Sequence, residues 1–237
     1  MQVAIIPARE KSQRIRNKNL VNFLGKPIIS WPIIMAKRSK IFDKVIVSTD
    51  SKKILRISKK FGAEVPFLRP KKISDNQTGI IEVVNHAIKF LEKKKIRFKY
   101  VCCIFATAPL LKKKTIQQAL NLLRKGGYDF VFGANKIDSK YLRSFYIKNN
   151  KLYMLDKKFY FTPKKPYPST YLDSGQFYWG TKNAWKKNKI IFTKNSNFIL
   201  LNHKKFVDIN TYKDLEKTRQ IAKKYKIKKL NKIILRF

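Results

Sequence analysis

Residues 3–19 read VAIIPAREKSQRIRNKN, and this stretch decides the fold. Val3, Ala4, Ile5 and Ile6 form a short apolar run with the length and β-branched content of a buried parallel strand. Pro7 ends the ladder, because proline has no N–H to donate. The residues that follow carry Arg9, Lys11, Arg14, Arg16 and Lys18, with Ser12 and two asparagines between the charges. A cationic, hydrogen-bonding loop at the carboxyl end of a first strand is where open α/β sheets bind anionic ligands. The same residues also describe a solvated basic loop in a chain this rich in lysine. By itself the loop favours a phosphate site only modestly.

Outward from that loop, strand and helix alternate. Ser30 is read as the N-cap of an apolar helix running to about Lys37, with Pro32 in the tolerant first turn. Residues 43–50 (DKVIVSTD) are a second buried strand. Ile54, Ile57 and Phe61 give the next helix its apolar stripe, and Gly62 closes it. Residues 64–68 read as a third short strand, 69–79 as a loop, 80–93 as a helix, and 100–105 (YVCCIF) as the central strand. A helix over 114–125 stops at Gly126 and Gly127, and 129–133 form a further strand. This alternation predicts a doubly wound, mostly parallel, Rossmann-like α/β sheet.

After Asn135 the rhythm changes. Residues 138–172 are rich in Tyr, Lys and Pro and show short alternating runs. They predict a β-rich arm suited to a homodimer interface, the alternative being a loop that closes over substrate. Residues 173–180 return to strand, 184–187 to a short helix and 198–201 to strand. Thr211 with Asp214 signals a capping box for a last helix, with Leu215, Ile221, Ala222 and Tyr225 on its apolar side. Residues 226–237 read as a basic tail whose Ile233, Ile234 and Leu235 dock on the body. The whole of 1–237 is expected to be one domain.

Composition narrows the function classes. With 44% hydrophobic and 13% aromatic residues, the chain folds and is not disordered. No apolar run approaches the ~18–20 residues of a membrane span, and no charged leader precedes the first strand, so a cytoplasmic protein without a membrane partner is expected. Adjacent Cys102 and Cys103 lack metal-ligand spacing and read as core residues. His86 reads as a helix-face residue, because no second His or acid stands at i+4 to share a metal. The net charge of +41 invites a nucleic-acid partner, yet the lysines are scattered and Ile, Asn, Phe and Tyr are also plentiful. Compositional drift toward A and T codons accounts for that pattern, and no specific nucleic-acid binding is expected. A basic nucleic-acid-binding protein remains the alternative from a different class; it would need a clustered basic face. With only 14 acidic residues, any carboxylate at a strand end stands out.

Several motifs in register carry a resemblance. Ile6-Pro7-Ala8-Arg9, Ser12, Arg14-Ile15 and Lys18-Asn19 match an opening of the form IPARGGSKRIPxKN. FLGKPIISW, VIVSTDS, GAEVPFLRP, SDNQTG, CCIFATAP, DSGQFYWG and VDINT follow in order. From Val3 to about Arg219 the chain resembles the CMP-sugar synthetases, the cytidylyltransferases that activate nonulosonic acids. GAEVPFLRP with GQFYWG points to the pseudaminic acid branch.

The resemblance implies a nucleotidyltransferase that joins CTP and a nonulosonic acid, giving the CMP-sugar used in surface-glycan or flagellin glycosylation, and pyrophosphate. It implies catalytic roles for Lys18, Arg9 and Arg14, with Lys18 stabilising the transition state and leaving group. Ala8, Arg9, Ser12, Asn19, Arg69, Ser74, Asp75, Thr107 and Ala108 fall at nucleotide-binding positions. Arg143, Gln176 and Asp173 fall on the sugar side, and Asp208 and Asn210 hold Mg²⁺ or Mn²⁺. Such a displacement needs the triphosphate held in line and its charge neutralised, which fits these residue types. The chain departs from the family form at Glu10-Lys11 (Gly-Gly), Gln13 (Lys), Arg16 (Pro), Leu172 (His) and Asn210 (Asp). Arg16 and Lys11 can restore lost charge. The alternatives are an N-acylneuraminate or legionaminate cytidylyltransferase, or a catalytically weakened homologue.

Overall fold

A computed structural model describes residues 1–159, 167–202 and 207–225. The expected docking of Ile233, Ile234 and Leu235 lies outside the described residues, as does part of the arm at 160–166. The first strand, β1 (Gln2–Pro7), shows why the sheet is covered on both faces. Ala4 and Ile6 enter one apolar cluster while Val3 and Ile5 enter another. That is the period-2 alternation of a strand buried on both sides. Each such fully buried Val or Ile contributes roughly 1.5–3 kcal/mol.

Two short strands, β2 (Asn22–Phe23) and β3 (Lys26–Pro27), make a small antiparallel hairpin. Helix α1 (Ser30–Ser39) follows. Ser30 is its first residue and not its cap: its hydroxyl donates to the Pro27 carbonyl at 2.6 Å. Strand β4 (Lys44–Ser48) leads into α2 (Lys52–Lys60), capped by Ser51 and left through Gly62 at φ +89°. The third strand expected at 64–68 is reduced to two parallel bridges, Ile46 to Glu64 and Thr49 to Leu68. Next come α3 (Ile80–Lys93), β5 (Tyr100–Ile104), α4 (Lys113–Gly126) and β6 (Phe130–Ile137). The arm holds β7 (Phe145–Lys148) and β8 (Lys151–Met154), joined by Asn149 and Asn150, both at positive φ. The chain continues with β9 (Thr170–Thr181), α5 (Lys182–Lys186), β10 (Ser196–Leu201) and α6 (Tyr212–Lys224).

Among the described residues the main sheet has six strands in the order β10-β6-β9-β5-β1-β4. Strand β9 alone runs antiparallel to its neighbours; β1 pairs in parallel with β4 and β5, and β6 with β10. One face is covered by residues of α1, α2 and α4, the other by residues of α3 and α5. Cys102 and Cys103 are fully buried core residues on β5, as expected. A third cluster joins Ile15, Phe23, Ile28 and Trp31 to Ile209, Leu215 and Ala222, so α6 packs back against the loop after β1. The capping box of Thr211 and Asp214 is present, whereas Tyr225 is exposed and lies off the apolar side.

Candidate nucleotide and metal site

Strand β1 has β4 on one side and β5 on the other, so the chain reverses its winding direction at β1. In open α/β sheets the crevice beyond the carboxyl ends of such strands is the ligand site. A cavity of about 410 Å³ opens there. Pro7 at the end of β1 and Arg9 beyond it line it, as do Phe105, Ala106 and Thr107 after β5.

One wall is cationic. Ser12, Gln13, Arg14, Lys18 and Asn19 line it, and fully buried Ile15 anchors the loop that carries them. Lys18 Nζ donates to the Ile209 carbonyl at 2.5 Å. Burial lowers the Lys18 pKa, with Asp208 opposing the shift and Arg14 and Arg9 adding to it. Asn19 Nδ2 donates to the Arg9 carbonyl at 2.9 Å, and the Arg9 guanidinium donates to the Asp75 carbonyl. Arg69 also lines the cavity although only 5% exposed. Its Nε donates to Ser74 Oγ at 3.0 Å. Asp75 accepts from the Thr78 hydroxyl and backbone N–H, which holds its carboxyl below the usual range.

The facing wall is acidic. Asp173, Gly175, Tyr178, Asp208 and Asn210 line it. Because β9 runs backward, its early residues arrive at the carboxyl end of the parallel strands. The β6–β9 register breaks between Phe132, opposite Tyr178, and Ala134, opposite Asp173. Such irregularities re-aim side chains beside sites. Gly175 has φ +59°, and a Cβ there would stand 2.7 Å from Asp208 Cγ. Only glycine lets that carboxylate come so near the strand. Asp173 accepts from the Tyr178 hydroxyl and, at 3.3 Å, from the Gly175 N–H. Burial first, and then the Asp208 charge, raise the Asp173 pKa against the Tyr178 hydrogen bond. Asn210 Nδ2 donates to Asp208 Oδ2 at 2.6 Å. Ile209 between them is fully buried, so Asp208 and Asn210 share the outward side although 207–210 is not a strand.

Several expected site residues lie elsewhere. Ala8 and Ala108 are buried and do not line the cavity; the Ala8 N–H is used by the Ser48 carbonyl and the Ala108 N–H by the Phe105 carbonyl. Ser74 acts through Arg69. Gln176 is 1% exposed, and its amide donates to the Ser174 and Val207 carbonyls, tying β9 to the segment before Asp208. Arg143 is exposed on the arm, outside the cavity. Lys11 and Arg16 do not line it either, so they do not replace the cation missing at Gln13. The Glu10 carboxylate turns away from the cavity and accepts from Ser51 Oγ at 2.8 Å. His86 is half-buried with its ring edge-on to Phe67, and burial, then Arg69 and Lys89, lower its pKa. Tyr178, Gly175 and Asp50 were not singled out from sequence. DSGQFYWG contained the first two, and Asp50 stood as a carboxylate at a strand end.

A sequence model of the cytidylyltransferase family matches residues 3–235. The chain belongs to the cytidylyltransferase family. It is 40% identical over 215 residues to a pseudaminic acid cytidylyltransferase of Campylobacter jejuni, covering 90% of this chain and 93% of that one. It is 34% identical to a Helicobacter pylori protein named as a pseudaminic acid cytidylyltransferase and UDP-2,4-diacetamido-2,4,6-trideoxy-β-L-altropyranose hydrolase. That match covers 82% of this chain and 37% of the other. The fold is similar to that of a CMP:2-keto-3-deoxy-manno-octonic acid synthetase complexed with CTP, with a TM-score of 0.69 at 15% identity. That likeness covers 94% of this chain and 99% of the other. This cytidylyltransferase therefore shares its family's fold along nearly its whole length. Among the described residues no helix is long and apolar enough to cross a membrane.

Proposed function

We propose that this cytidylyltransferase transfers the cytidylyl group of CTP to the anomeric hydroxyl of a nonulosonic acid, pseudaminic acid, with release of pyrophosphate. The 40% identity to the Campylobacter enzyme, over 90% of this chain and 93% of that one, carries this reading. The hydroxyl oxygen bonds to the α-phosphorus as the bond from that phosphorus to the oxygen bridging it to the β-phosphorus breaks; the electron pair of that bond leaves with pyrophosphate, and the hydroxyl proton passes to water. Little covalent chemistry is asked of the protein beyond position and charge. Arg9, Ser12, Arg14 and Lys18 cradle the triphosphate. Lys18, already desolvated, is the cation for the charge that develops on the leaving group. Asn19, Arg69 and Asp75, with Ser74 behind Arg69, take the cytidine side.

The acidic wall suits Mg²⁺ or Mn²⁺, which prefer oxygen donors and usually take one or two carboxylates beside substrate phosphates. Asp208, with the Asn210 amide oxygen and the neighbouring Asp173 carboxylate, would hold the ion, which when bound neutralises phosphate charge. Asp173, raised in pKa beside Asp208, is a carboxylate that a cation would favour in its ionised form. The chain acts as a homodimer in the cytoplasm. The hairpin supports the dimer by exposing Phe145, Ile147 and Leu152 by more than half, next to a stacked Tyr146–Tyr153 pair. Mass spectrometry of a reaction containing CTP, pseudaminic acid and Mg²⁺ tests the activity. The expected product is CMP-pseudaminic acid in equal amount to pyrophosphate; pyrophosphate without the CMP-sugar contradicts the reading.

A further inference from the structure

The loop after β1 and the segment at Arg69 are both fastened to residues 48–50. The Ser48 carbonyl accepts the Ala8 N–H at 2.9 Å, at the root of the loop after β1. The Thr49 carbonyl accepts the Arg69 N–H at 2.7 Å. The Asp50 carboxylate then reaches both loops at once. Its Oδ1 accepts the Glu10 N–H at 2.9 Å and faces Arg69 Nη2 at 4.0 Å. Arg69 is nearly buried, and a guanidinium withdrawn from water needs a counter-charge close by. Glu10 strengthens the junction, because its side chain accepts from Ser51 Oγ, and the same oxygen caps α2 through the Ile54 N–H. The carboxylate at position 10 is thereby spent on the loop's anchorage.

We propose that Asp50 is a positioning residue that fixes the spacing between the phosphate-binding loop and Arg69. It does not line the cavity, so it acts through those two loops. A ligand spanning both loops needs the spacing; a ligand touching only one does not. The inference rests on the proposed use of CTP, and the test separates the two.

Binding of CTP and of inorganic triphosphate is measured by calorimetry without sugar on wild type, Asp50→Asn and Asp50→Ala, with melting temperatures and steady-state constants alongside. Asp50→Asn keeps an acceptor for the Glu10 N–H and loses the charge facing Arg69. It is expected to weaken CTP by about threefold or more while triphosphate stays within about twofold. Asp50→Ala frees both loops and is expected to weaken CTP by about tenfold or more, with KM for the sugar unchanged. Wild-type CTP affinity in Asp50→Asn overturns the proposal, as does equal weakening of CTP, triphosphate and sugar in step with a fall in melting temperature. If Asp50→Ala does not fold, Asp50→Asn decides. A wild-type chain that binds triphosphate but shows no preference for CTP overturns the underlying nucleotide reading, and with it this role of Asp50.

Discussion

The two walls of the cavity are built in opposite ways. The cationic wall comes from loops after parallel strands, and hydrogen bonds cross-brace it: Arg9 to Asp75, Asn19 to Arg9, Arg69 to Ser74. The acidic wall comes from the one reversed strand and the segment before α6, and places Asp173 and Asp208 on either side of a glycine. In a chain with 55 basic and 14 acidic residues, two carboxylates meeting at one wall are a costly arrangement without a cation between them. Charge is thus sorted by wall, as the proposed division of labour between phosphate and a divalent metal requires. Lys18 joins the two, because its ammonium reaches the Ile209 carbonyl between Asp208 and Asn210.

The sharpest way to break that comparison is to remove one charge from each wall. Asp208→Asn is expected to lower turnover by about a thousandfold or more and to weaken Mn²⁺ binding followed by electron paramagnetic resonance. Unchanged Mn²⁺ binding would remove Asp208 from the metal site. Lys18→Ala is expected to lower kcat by about 100- to 1,000-fold, with a melting temperature within a few degrees, since the lysine adds charge and little packing. If kcat survives, the transition-state role passes to Arg14.

Smaller effects sharpen the comparison. Asn210→Asp restores a second acid to the closing segment and should lower the Mg²⁺ concentration for half-maximal rate by a few-fold. An unchanged metal titration would take position 210 out of the metal site. In its proposed role Lys18 holds phosphate as the cation, and burial lowers its pKa. Raising the pH therefore discharges it early, so kcat/KM for CTP should fall on the alkaline side before the ordinary lysine value of 10.5 is reached. An unaltered alkaline limb in Lys18→Arg would contradict this.

Much of the frame was legible because it depends on periodicity and end signals. The run Val3–Ile6, the helix over 80–93, Gly62 and the capping box at Thr211 each state their geometry locally. The direction of β9 was not legible, since apolar alternation is identical in a parallel and an antiparallel strand. That direction decides which residues of DSGQFYWG face the ligand. Gln176, polar and within the motif, turns inward to brace Val207, while Gly175 gives Asp208 its room. The partner of Glu10 was equally hidden: its reach to Ser51 spans a gap in sequence that no local pattern encodes.

Every role proposed for the two walls depends on this cavity activating a nonulosonic acid with CTP. A pyrophosphate-release assay tests it most directly, run over CTP, UTP, ATP and GTP against pseudaminic, legionaminic, N-acetylneuraminic and 3-deoxy-manno-octulosonic acids. The highest kcat/KM is expected for CTP with pseudaminic acid, with every other nucleotide at least about tenfold lower. Equal turnover of UTP or ATP, or no release with any acid in the presence of CTP and Mg²⁺, would contradict it.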